Sequence, residues 1–168
     1  MGLLKRLYNN FEEYACALLV AMMIILLTLQ VIIRATIGSS LAWSEELSRY
    51  SFLWAVYIGA ALAVKKNAHV RITAQFLWMS PRARLLFRIL ADVVWVVFAL
   101  YFAWTGLNDV LEGIAYPEIS PTMGIVKAYV EAVIPFSFVL MVWRIVEQYI
   151  QKIRTNSLKF LVCHEGEL

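Results

Sequence analysis

Hydrophobic residues are gathered into four long stretches that are separated by polar segments. The first stretch, 14–33, contains twenty residues without a charged side chain. Because a helix rises 1.5 Å per residue, these residues reach about 30 Å, the thickness of the hydrocarbon core of a bilayer. A signal peptide has a shorter apolar stretch, and Arg34 follows this one directly. The pattern therefore predicts an uncleaved transmembrane helix.

Three further spans complete the prediction of an all-α membrane protein, at about 44–64, 85–108 and 125–146. The second reaches full length only if it begins at Ser44, a residue type that caps helix N-termini. Pro81 precedes the third span, and proline suits the first turn of a helix. The fourth contains Pro135, which membrane helices tolerate when neighbouring groups satisfy the freed carbonyl. We expect one domain over residues 1–156 and a tail over 157–168.

Basic residues outside the apolar stretches predict the orientation. Twelve of the fifteen Lys and Arg residues lie in three places: before the first span, from the end of the second to the first turn of the third, and at or beyond the end of the fourth. The positive-inside rule places such segments in the cytoplasm, so both termini are predicted to be cytoplasmic. Between the second and third spans, Val70 to Met79 is apolar with interleaved polar residues. We expect it to lie along the cytoplasmic interface as an amphipathic helix.

Composition narrows the class of function. The chain is 62% hydrophobic and 16% charged, whereas soluble domains carry about 25% charged residues. The net charge of +3 comes from basic residues that lie mostly outside the apolar stretches, as the orientation of a membrane protein requires, so no nucleic-acid partner is expected. No catalytic or metal-binding motif occurs, and neither His69 nor His164 lies in a span, so we expect a protein without enzyme activity and without a cofactor.

Polar side chains at membrane depth mark functional sites in membrane proteins, because burying them there is costly. Asp92 is the only formal charge well inside a predicted span. It follows Arg88 at i,i+4, so an ion pair between them and a role in proton coupling are both open. Lys127 and Glu131 form a second i,i+4 pair at the outer end of the fourth span.

Small residues predict close helix packing. Ala55, Gly59 and Ala63 are spaced by four in the second span, and Gly124, Ala128 and Ala132 have the same spacing near the fourth. Such spacing lets membrane helices approach closely, either within this chain or against a partner. The third span is bulkier and suits lipid or a large hydrophobic partner.

Three segments carry a resemblance to a known family. The first is Trp43-Ser44-Glu45-Glu46-Leu47-Ser48-Arg49-Tyr50, preceded by Arg34. The second is Lys65-Lys66-Asn67-Ala68-His69-Val70-Arg71, and the third is Ser120-Pro121-Thr122-Met123-Gly124, followed by Tyr129 and Ile134-Pro135. With the length and the four spans, they resemble the small membrane subunit (DctQ type) of the tripartite ATP-independent periplasmic (TRAP) transporters.

The resemblance implies a division of labour. In this family a periplasmic binding protein captures an organic acid, and a separate large membrane subunit holds the substrate and sodium sites. The chain is then expected to be the small accessory subunit, a scaffold that packs beside the large subunit in the bacterial inner membrane. Sialic acid, C4-dicarboxylates and keto-sugar acids are all open as substrates.

The resemblance also implies roles for residues of the matching segments. Glu45, Glu46 and Arg49 are expected to form a charged cluster with Arg34, which either braces the first two helices or presents charge to a partner. His69 and Arg71 are expected to fix the turn after the second helix.

Three other functions compete with the accessory subunit. One is a self-contained, proton-coupled small transporter that uses Asp92. The others are a membrane enzyme or electron-transfer subunit, and an assembly factor that is absent from the final complex.

Overall fold

The computed structural model describes residues 3–39, 41–66 and 81–154. These ranges form five helices: α1 Leu3–Ile37, α2 Ala42–Lys65, α3 Pro81–Ala115, α4 Lys127–Glu131 and α5 Val133–Arg154. Within them, four helical stretches are long and apolar enough to cross a membrane: Asn10–Ile37, Ala42–Lys65, Leu86–Ala115 and Lys127–Gln151. The prediction of an all-α protein with four spans is confirmed. His69, Arg71, the expected interfacial segment and the tail lie outside the described residues.

The third helix is longer than the sequence predicts. α3 continues through Asp109 and Glu112 to Ala115 instead of ending near residue 108. The backbone amide of Tyr116 still donates to the carbonyl of Glu112, at 2.8 Å, and Pro117 follows, which disfavours further helix. Hydropathy indicates where a helix leaves the hydrocarbon, whereas its end depends on where the backbone hydrogen bonds stop.

The predicted N-cap of the second helix is wrong. Leu41 occupies the N-cap position of α2, and no side chain caps it. The Ser44 hydroxyl instead donates to the carbonyl of Leu41, at 2.8 Å. Before Leu41, α1 ends at Ile37, and Gly38 follows with a φ of 74°, the left-handed conformation that terminates helices and favours glycine.

The fourth span is two helices rather than one. Ala132 separates α4 from α5, three residues before Pro135. Proline has no amide hydrogen, and its ring crowds the carbonyl four residues earlier, here that of Glu131. Pro135 packs against α3 at Gly106, where an added Cβ would lie 3.3 Å from the proline Cδ.

The long helices form an open row. α1 packs against α2, α2 against α5, and α5 against α3, while the short α4 packs against α3. Other contacts between the described helices are marginal. The apolar core lies between the two central helices, at Ala61, Val64, Met141 and Ile145. The row leaves α1 and α3 at its two edges, where they expose many more large apolar side chains than α2 and α5.

Small residues serve packing inside the chain. The Cys16 thiol of α1 contacts the carbonyl of Ala55 on α2, at 3.8 Å, and an added Cβ on Gly59 would lie 3.8 Å from the same sulfur. On the other side, a Cβ on Gly113 of α3 would lie 2.9 Å from the Cβ of Ala128. Both small-residue stripes therefore contribute to internal helix packing.

Candidate functional site

Glu46 forms a buried polar cluster at the start of α2, with 3% of the residue exposed. The Tyr50 hydroxyl, one turn later, donates to its Oε1 at 2.6 Å. From the segment between α3 and α4, Thr122 donates to Oε2 through its backbone amide, at 3.3 Å, and also through its hydroxyl. The Ser120 hydroxyl also lies beside this carboxylate. We call Glu46, Tyr50, Ser120 and Thr122 the Glu46 cluster.

Ser120 and Thr122 lie in the connection between α3 and α4, residues 116–126, which we call the turn. An antiparallel bridge joins Ile119 to Val126. Gly124 has a φ of 68°, and its amide donates to the carbonyl of Ser120 at 3.1 Å. The Ser120 hydroxyl oxygen accepts from the amide of Met123, also at 3.1 Å. The turn is thus held by internal hydrogen bonds in addition to those that it makes with Glu46.

Hydroxyl and amide groups satisfy the Glu46 carboxylate, which matters because an unpaired buried charge is costly. Hydrogen bonds to an ionised acceptor are stronger than neutral ones, so the cluster ties the start of α2 to the turn.

Within the described ranges, no three His, Cys, Asp or Glu side chains are grouped so that they could hold a metal ion.

The charged residues expected to cluster with Glu46 do not pair with it in the described chain. Arg34, Glu45 and Arg49 are all exposed. No ion pair connects Arg34, Glu45 and Arg49 within the described part of the chain, so the expected bracing of α1 by these charges is not formed there. Glu46 instead braces α2 against the turn. Contact of the exposed charges with a partner stays a prediction.

A second buried cluster lies at the other end of α2. Glu12 of α1 is fully buried and accepts from the Lys65 Nζ at 2.9 Å and from the Arg144 Nε at 2.5 Å. Arg144 of α5 also forms an ion pair with Glu147. We call Glu12, Lys65, Arg144 and Glu147 the Glu12 cluster. Its two carboxylates and two cations balance, which offsets the cost of removing them from water.

Adjacent residues of α5 extend this polar layer across the row. The Gln148 side-chain amide donates to the carbonyls of Val64 and Lys65, at 2.8 and 3.1 Å, so it satisfies groups that the end of a helix leaves open. The Tyr149 hydroxyl donates to Asp92 of α3 at 2.6 Å. Hydrogen bonds and ion pairs thus link α1, α2, α5 and α3 at this end. The pairing of Asp92 with Arg88 stays a prediction.

The two clusters lie about one membrane thickness apart. Glu46 and Lys65 are separated along α2 by 19 residues, or about 28 Å. The hydrocarbon core of a bilayer is about 30 Å thick. The polar clusters therefore mark the two surfaces of the membrane-spanning part.

Sequence reasoning missed the Glu12 cluster and mispaired Lys127. Glu12 carries no local signal, because its partners Lys65 and Arg144 are 53 and 132 positions away. Lys127 pairs with Glu118, at 3.0 Å, rather than with Glu131, because the bridge in the turn brings residues 118 and 127 together. The amide of Lys127 also donates to the carbonyl of Glu118, at 2.9 Å.

Comparison with known proteins matches most of the chain to one family. Residues 23–155 match the family described as tripartite ATP-independent periplasmic transporters, DctQ component. This range contains the whole Glu46 cluster and all of the Glu12 cluster except Glu12 itself.

Three relatives illustrate the match. The sialic acid TRAP transporter small permease protein SiaQ of Vibrio cholerae is 28% identical over 148 residues, 88% of this chain and 84% of that protein. The C4-dicarboxylate TRAP transporter small permease protein DctQ of Rhodobacter capsulatus is 28% identical over 121 residues, 72% of this chain and 53% of that one. The isethionate TRAP transporter permease protein DctMQ of Oleidesulfovibrio alaskensis is 26% identical over 160 residues, 91% of this chain. This chain spans only 25% of the length of that permease.

Proposed function

Because the chain belongs to the DctQ components of the tripartite ATP-independent periplasmic transporters, we propose that it is the small accessory subunit of such a transporter. In this proposal it packs against a larger membrane subunit in the bacterial inner membrane. A periplasmic binding protein delivers an organic acid to the pair, and a sodium gradient drives uptake. The match over residues 23–155 is the observation that carries the proposal.

The use of the buried charges supports an accessory role. Glu12, Glu46, Asp92 and Arg144 are the buried charged residues of the described chain, and each has a hydrogen-bonding or ionic partner within it. A transport pathway needs polar groups that can exchange partners with a substrate or ion. Because these buried charges already have partners within the chain, they favour a structural role over a transport pathway.

The relatives support both the partner and the substrate class. Sialic acid, C4-dicarboxylates and isethionate are named for them, and all are anions of organic acids. The isethionate permease is about four times as long as the part that matches this chain. We propose that this chain binds the corresponding larger part.

The orientation in this proposal follows the basic residues. The Glu12 cluster faces the cytoplasm with the segments rich in Lys and Arg, and the Glu46 cluster faces the periplasm. Cysteine labelling of intact cells tests this directly. Ser39→Cys, in the turn between α1 and α2, should react with a membrane-impermeant maleimide, and a cysteine placed at residue 2 should not.

The decisive experiment combines purification and transport. The tagged chain is co-expressed with the proposed large membrane subunit, extracted in mild detergent and purified. We expect elution near one-to-one, and sodium-driven uptake of one organic acid only when both chains and the binding protein are reconstituted. Elution of the chain alone, with uptake or substrate binding unaided, would refute the proposal.

Asp92 distinguishes the competing transporter. Asp92→Asn removes the charge that a proton-coupled carrier needs, so it would abolish uptake by such a carrier. In an accessory subunit it should weaken the contact with Tyr149 (2.6 Å) without abolishing uptake, and Tyr149→Phe should also have a modest effect on complex yield. Loss of all uptake in Asp92→Asn with normal complex yield would favour the carrier.

A further inference from the structure

We infer that the turn over residues 116–126, together with the adjoining parts of α2 and α4, lies in the phospholipid headgroup layer instead of projecting into water. Five large side chains form this surface, with exposed fractions from 40 to 83%: Trp43, Tyr116, Ile119, Ile125 and Tyr129. We call it the interfacial surface. Its proposed partner is the lipid of the outer leaflet.

The side-chain types favour the headgroup layer. Trp and Tyr are enriched where membrane meets water, because their rings are apolar and each carries a polar group. Here Trp43 lies in the first turn of α2, Tyr116 directly follows α3, and Tyr129 lies in α4. Three separate elements thus place an interfacial residue at the same end of the protein.

The turn itself carries little charge. Residues 116–126 contain one charged side chain, that of Glu118, and it pairs with the adjoining Lys127 at 3.0 Å. Ile119 is 62% exposed beside this neutralised pair. On a structured turn in water, so much exposed apolar surface would be an aggregation liability, whereas in the lipid interface it gains stabilising contacts.

The position of the turn along the membrane normal agrees. Thr122 fixes the turn to Glu46, about 28 Å along α2 from Lys65. On α3, the exposed residues Asp109 and Glu112 end the apolar run before the turn begins. The turn therefore lies just beyond the hydrocarbon, in a headgroup layer about 5–7 Å thick on each side.

Spin labelling in vesicles tests the surface. The full chain, with Cys16→Ser and Cys163→Ser, receives one nitroxide-labelled cysteine and is reconstituted in vesicles of phosphatidylethanolamine and phosphatidylglycerol. Ile119→Cys and Ile125→Cys report on the surface. Ser39→Cys is the matched control, because Ser39 is exposed and lies between α1 and α2 at the same end. Collisions with apolar oxygen and with a water-soluble nickel chelate are measured for each.

The lipid interface gives a defined result. The ratio of oxygen to nickel collisions should be several-fold higher at residues 119 and 125 than at residue 39. Equal ratios at all three positions would show that the turn stands in water and overturn the inference. The measurement is repeated with the large membrane subunit present. If both reagents are then excluded from residues 119 and 125, the surface binds protein, and the inference of a lipid partner is also overturned.

Discussion

Thr122 donates two hydrogen bonds to the carboxylate of Glu46, a residue 76 positions earlier in the chain. The contact joins two segments that the sequence presents as unrelated motifs, one at the start of α2 and one before α4. It makes the start of α2 and the turn over residues 116–126 one structural unit.

Glu46→Gln should lower the thermal stability of the detergent-purified protein by several degrees. The carboxylate accepts from hydroxyl and amide donors on both of its oxygens, and the amide nitrogen of Gln would face one of them as a second donor. Glu45→Gln is the matched control, because Glu45 is exposed, and it should leave the melting temperature unchanged. Thr122→Val should reproduce part of the loss, and Thr122→Ser should restore it.

Glu12→Gln should destabilise the protein by about 3 kcal/mol, because it leaves buried cations without their counter-charge. The control is Glu13→Gln, which breaks the partly exposed 2.7 Å pair with Lys66 and should cost less than about 1 kcal/mol. Unfolding in a denaturing detergent gives both values. Similar losses for the two variants would contradict the role of the Glu12 cluster.

Gly113→Ala should destabilise the packing of α3 on α4 by about 1–3 kcal/mol, because overpacking forces the backbones apart. An added Cβ would lie 2.9 Å from the Cβ of Ala128. Adding Ala128→Gly should recover most of the loss, since it removes the opposing atom. Gly59→Ala is the matched helical control. Its Cβ would make an ordinary contact at 3.8 Å, so no loss is expected.

Trp54→Phe should cost about 1 kcal/mol, the usual value of one hydrogen bond. The indole Nε1 of Trp54 on α2 donates to the carbonyl of Val130, at 3.0 Å, beside the break between α4 and α5. Trp43→Phe removes an indole that makes no hydrogen bond within the described residues, and it should leave the melting temperature unchanged. Equal effects of the two substitutions would show that the Trp54 bond does not stabilise the break.

Local sequence features predicted the number of spans and much of their placement. Uncharged runs such as 14–33 are long enough to cross a bilayer, and few other structures accommodate them. Pro81 begins α3 as proline's fixed backbone angle favours, and Pro135 lies just after the break at Ala132. The three short segments that resemble the DctQ family all lie within residues 23–155, the range that the family match covers.

Only the tertiary structure decided how the polar side chains are paired. Ser44 donates to the carbonyl of Leu41 instead of capping α2. Lys127 pairs with Glu118, and Glu46 accepts from Thr122 instead of pairing with its charged neighbours. In each case several partners lie within reach along the chain. The local backbone geometry selects the partner of Ser44 and of Lys127, and the packing of the turn on α2 selects the partner of Glu46.

The sequence by itself determined that this is a four-span membrane protein of the DctQ family, because span length and motif are local properties. The open row of helices and its two polar clusters were decided by the fold. Glu12 and Arg144, 132 positions apart, meet only because α1 and α5 both pack beside α2. A buried charge needs a partner, but its sequence position does not say which helix will supply it.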